Sequence, residues 1–129
     1  KYRTRLASDK KPSLATIHVT GAPEGTEAAW EREAALARGI EFTRTLVTEP
    51  ANIIYPESFV ARTRTAFAGV KNVEIEVVDV PAMQRLGMNS LLAVGQGSVR
   101  PPRLLVVRYR GAGAGEAPVA FVGKGITFD

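Results

Sequence analysis

Hydrophobic positions change period several times along this chain, and each change predicts an element. In LATIHVT, residues 14–20, apolar and polar positions alternate weakly and β-branched types are frequent, which predicts a short strand behind a basic leader. The turn-forming GAPEG follows. Thr26 is placed to cap a helix with Glu27 in its first turn, and Trp30, Ala34 and Ala37, flanked by Leu36, Ile40 and Val47, give an apolar stripe reaching about Thr48. Glu49-Pro50 ends that helix, because the residue before a proline avoids helical angles. Pro56 opens a second helix at its first position, with Phe59, Thr63, Ala66 and Phe67 on one face and Gly69 closing it. Only ANIIY lies between the two, so the helices are predicted to be spatial neighbours.

Val73, Ile75 and Val77 alternate with Glu74 and Glu76, the period of a half-buried strand continuing to about Val80. PAMQRLG then reads as a helix of one or two turns. Three apolar runs follow, at 90–95, 103–110 and 118–123. Their links are shorter than the dozen or so residues a parallel crossover needs, so the three are expected to pair as antiparallel strands. The strand at 73–80 joins them in parallel only if the loop at 87–90 lengthens its link. The expected fold is α/β, a mixed sheet flanked by helices.

Composition narrows the chemistry. The 129 residues are 45% hydrophobic and 23% charged, ordinary for a globular chain and enough for one domain with a core. No apolar run approaches the roughly 20 residues that span a bilayer, and the basic start KYRTRLASDKK has no apolar core behind it, so neither a membrane partner nor a secretory signal is expected. The expected setting is cytoplasmic. With no cysteine, any metal must be held by oxygen and nitrogen. The net charge is +4, and five basic residues, Lys1, Arg3, Arg5, Lys10 and Lys11, crowd the leader while the others are interspersed with acids. That is a solvated linker rather than a nucleic-acid stripe.

Several motifs have plain explanations. GAGAG at 111–115 puts Glu116 where a dinucleotide fingerprint needs its third glycine and leads into Pro118, so it reads as a hairpin loop. GQGS at 95–98 leads into VRPPR, which cannot open a helix. His18 is the only histidine and has no acid or serine at a telling distance. Glu74 and Glu76 share a strand face and are expected to face solvent.

FVGKGITFD, residues 121–129, is different. Lys124 and Asp129 follow an apolar run at its carboxyl end, where α/β sheets bind ligands. In a straight strand they would point to opposite faces about 16 Å apart. Gly123 and Gly125 allow the bend that convergence on one ion would need. On these residues alone, a surface pair and an ion site both stand.

LVTEPANIIYPESF (46–59), GMNSLLAVGQGS (87–98), the PPRLLVVRY that follows it, and VGKGITFD (122–129) occur in this order and spacing in the leucyl (cytosol) aminopeptidases. From about Ala34 onward the chain resembles that two-metal family of hexameric exopeptidases. The resemblance implies the start of a zinc-exopeptidase-like catalytic domain, with residues 1–13 a linker from a missing amino-terminal domain and 14–129 the first part of the catalytic domain, truncated within the metal site. It implies that Lys124 ligates the more loosely held of two divalent ions, manganese or zinc, and that Asp129 bridges both. The implied activity is release of N-terminal amino acids, preferably leucine, from peptide substrates, with the ions polarising the carbonyl and activating water. A homo-hexamer in the cytoplasm is the implied assembly.

The departures are equally informative. The family's catalytic lysine and arginine and its further acidic ligands lie beyond residue 129, so no catalytic residue is assigned within this chain. Asn89 stands where glycine is common. Without the resemblance, the same residues suit a stand-alone, non-catalytic α/β module that binds a protein partner through exposed sheet edges.

Overall fold

The computed structural model describes residues 5–113 and 115–127. Two compact units divide the chain, residues 1–40 and 41–129. The first holds a short 3-10 turn, Ser8–Lys10, an irregular stretch, and the start of helix α1 (Thr26–Thr48). Thr26 does mark the helix start, but its hydroxyl donates to the Pro23 carbonyl at 2.6 Å, closing the preceding turn instead of receiving a helix amide. The strand expected at 14–20 does not form: Leu14, Ile17 and Val19 are 74–77% exposed and none of these residues joins a sheet. Alternation supplies a face, but a strand also needs a neighbour to take its backbone hydrogen bonds.

In the second unit the chain turns sharply after α1. The amides of Ile53 and Ile54 both donate to the Pro50 carbonyl, each at 2.8 Å. Helix α2 (Pro56–Ala66) then begins with proline at its first position, where a missing N–H costs nothing. Ser58 fixes the entry: its Oγ accepts from the Tyr55 amide at 2.9 Å and donates to the Ile53 carbonyl at 2.7 Å. Past α2, Gly69 (φ +77°) and Asn72 (φ +62°) take left-handed angles that glycine and asparagine tolerate best, and so reverse the chain into strand β1 (Val73–Val78).

β1 pairs antiparallel with β2 (Leu104–Tyr109), in a register that sets Val73 opposite Tyr109 and Val78 opposite Leu104. Opposite residues share a face. Val73, Ile75 and Val77 therefore lie beside Leu105, Val107 and Tyr109, while Glu74 and Glu76 share the other face with Arg108. Between the strands come α3 (Val80–Arg85) and α4 (Asn89–Gly95). Asp79 caps α3 by accepting the Ala82 amide at 2.9 Å.

The α/β class is as the sequence implies, but its elements are distributed differently. Residues 90–95, expected as a strand, are helical in α4. Leu, Leu and Ala are good helix formers, and a short apolar run does not reveal its period. With α3 and α4 filling the link, β1 and β2 meet antiparallel, and among the described residues the sheet consists of these two strands, with no parallel pair. Residues 118–123, also expected as a strand, have no ladder partner among the described residues. Among the described residues of this unit the buried side chains are Ile54, Val60, Thr63, Val78 and Met83, the last wholly enclosed.

Candidate metal centre and the segments around it

Carboxylates come first, because a metal held without sulfur depends on them. On β1, Glu74 and Glu76 face outward as expected, and both are engaged. Arg108 donates to Glu76 at 2.6 Å and lies 3.9 Å from Glu74, while Arg110 donates to Glu74 at 3.1 Å. The hydrogen bond to Glu76, and then its charge, raise the Arg108 pKa further above its ordinary value. A metal ion at this face would have to displace two guanidinium groups. Among the described residues no three of histidine, cysteine, aspartate and glutamate come together as a metal site.

Lys124 lies in the irregular segment 116–127 and is exposed. Phe121 and Val122, the apolar residues just before it, are 95% and 96% exposed. Asp129 falls outside the described residues. As donors the two fit a divalent ion in part: a neutral lysine amine gives one nitrogen and a carboxylate two oxygens, where such ions take about four to eight donors. An amine gives up its proton to a metal when burial and neighbouring cations disfavour the ammonium. The described residues do not supply that burial.

The remaining motif residues follow their plain readings in part. His18 is exposed. The link around GAGAG opens no helix, but the hairpin expected there does not form, because 118–123 joins no sheet among the described residues. Tyr109 folds its ring against Gly111, which leaves no room for a Cβ at that glycine. GQGS begins at the end of α4, where the Ser98 amide donates to the Gly95 carbonyl at 3.1 Å.

Three arginine contacts were not legible in the sequence. All three converge on residues 49–58, the connector from α1 into α2. Arg62 lies 3.8 Å from Glu49, Arg100 stacks 3.9 Å above the Tyr55 ring, and Arg103 lies 3.4 Å from Glu57. Arg103 also donates to the carbonyl of Pro102 at 2.9 Å and to that of Pro101 at 3.4 Å. Gly95 sits so close to Pro102 that an added Cβ would come 2.8 Å from its Cγ. The segments LVTEPANIIYPESF and GMNSLLAVGQGS with PPRLLVVRY, distant in sequence, are thus packed on one another. Only the PPR triplet hinted at this, since two carbonyls preceding a strand need donors from somewhere.

The likeness to known proteins runs through these segments. The profile of the cytosol aminopeptidase family, catalytic domain, matches residues 41–129. A probable cytosol aminopeptidase of Caulobacter vibrioides is 46% identical over 100% of this chain and 26% of its own length. Those of Xanthobacter autotrophicus and a Bradyrhizobium strain are 42% and 41% identical, again over 100% of this chain and 26% of theirs. The chain spans about a quarter of the length of these relatives. No solved structure matches it. With the family profile covering more than half of its residues, the chain belongs to the cytosol aminopeptidase family and carries part of that family's catalytic domain.

Proposed function

We propose that the full protein carrying this sequence is a metal-dependent aminopeptidase, releasing N-terminal residues, preferably leucine, from peptides. The observation that carries this reading is the family match running through residues 122–129, where VGKGITFD stands. On this reading residues 1–13 are a linker and 14–129 the first part of the catalytic domain. Lys124 and Asp129 are metal ligands. Two divalent ions, manganese or zinc, would supply Lewis acidity and activation of water.

The residues of this chain have separate tasks. The Lys124 Nζ must lose its proton to expose a lone pair, so its site in the full protein has to be dry or strongly positive. The Asp129 carboxylate has two oxygens and a negative charge, which would let it hold both ions and soften their repulsion. Remaining ligands and the groups that move protons come from polypeptide outside these residues. A cytoplasmic homo-hexamer completes the proposal.

Metal analysis and leucyl-anilide hydrolysis on the full protein test it. Asp129→Ala should abolish turnover and lower the metal content at both positions, and retention of two ions per subunit would refute the bridging role. Lys124→Ala should empty mainly one position; equal loss at both would show the assignments to be wrong. The 129-residue chain alone should show no hydrolysis.

A further inference from the structure

Arg103 is separated from Glu57 by 46 positions, yet its side chain serves two segments at once. One nitrogen of its guanidinium, Nη1, reaches the carbonyls of Pro101 and Pro102, and the other, Nη2, reaches Glu57 Oε1. The planar fork of an arginine can do this; a lysine ammonium, a single nitrogen on a flexible stem, does not reproduce the two separated donor positions. Three positions earlier, Arg100 covers the Tyr55 ring, and its own amide is held by Ser98 Oγ at 3.0 Å. Tyr55 and Glu57 in turn lie just before Ser58, which locks the 53–58 turn. The other Glu57 oxygen, Oε2, is buried without a hydrogen-bond partner, so Glu57 depends on Arg103.

From this geometry we infer that Arg100 and Arg103 form a joint making residues 53–59 and 98–104 one cooperative unit, which opens and closes as a whole. Removing the Arg103 guanidinium strips donors from two carbonyls and a carboxylate simultaneously. The loss is felt on the α2 side as well as on the β2 side.

Hydrogen–deuterium exchange on the full chain reads this directly. In Arg103→Met, exchange at the Ile54 and Phe59 amides, bonded to the Pro50 and Tyr55 carbonyls, should rise about tenfold together with that of 98–104. The Leu86 and Met88 amides, in the α3 to α4 link, should not change. Arg103→Lys should behave like Arg103→Met, because the fork and not the charge makes the joint. Should Arg103→Met fail to fold, Glu57→Gln should give the same pattern at smaller amplitude. A rise confined to 98–104, an equal rise at Leu86 and Met88, or full protection in Arg103→Lys would each overturn the inference.

Discussion

Residues 49–109 and residues 116–127 are built from similarly apolar sequence, and they end up in opposite states. In the first, Met83 is fully enclosed, Ile54 is 4% exposed, and Arg100 and Arg103 tie the start of α2 to a distant segment. In the second, Val119, Phe121 and Val122 are 82–96% exposed and no strand forms. Hydrophobicity does not separate the two. Closure does: the first region has elements that return to one another, β1 to β2 and α3 to α4, while residues 116–127 form no helix or strand and are exposed throughout. Apolar residues stabilise a fold only when another surface removes them from water.

The largest expected effect tests the closed region. Met83→Ala deletes a wholly buried side chain and should cost about 2–5 kcal/mol in denaturant unfolding of the full protein. A loss below about 1 kcal/mol would show that the enclosure of Met83 contributes little. Gly95→Ala comes next. Its Cβ would come 2.8 Å from Pro102 Cγ, so α4 or the proline must shift, at roughly 1–3 kcal/mol by the same assay. A neutral result would mean that the contact yields freely.

Val122→Ser sharpens the contrast from the other side. In the 129-residue chain it removes no buried contact, so unfolding should move by less than about 0.5 kcal/mol, as for surface changes generally. A large loss would reveal that this segment is covered after all. The smallest effect belongs to the outward face of β1 and β2. Arg108→Gln removes an exposed partner of Glu74 and Glu76, and its slight destabilisation should vanish at about 1 M salt, where the Debye length is near 3 Å. The raised pKa of Arg108 means that its contribution is fully present below the unfolded value and is lost only as pH rises through the folded one. Since both lie in the strongly alkaline range, Arg108 should add no pH dependence near neutrality.

How much of the molecule was legible depends on how local its cause is. Proline at 50 and at 56 ends one helix and starts the next through φ and a missing N–H, both properties of the residue itself. Alternation at 73–78 gave β1 and the solvent-facing glutamates for the same reason. The short apolar runs were ambiguous. At 90–95 a helix won over the expected strand, and at 14–20 and 118–123 no partner strand is present among the described residues. Of the candidate site, Lys124 is placed at an exposed position and Asp129 lies outside the described residues, so their convergence rests on the motif.

By itself the sequence determined the boundaries of α1 and the start of α2, the absence of thiolate donors from this chain, and the motifs shared with the cytosol aminopeptidases. Each is written in residue identity or short spacing. Only the tertiary structure decided that β1 meets β2 antiparallel, that Gly95 must admit Pro102, and that Arg103 reaches Glu57. These depend on which distant surfaces come together. That selection is made by packing the whole chain, and no local pattern encodes it.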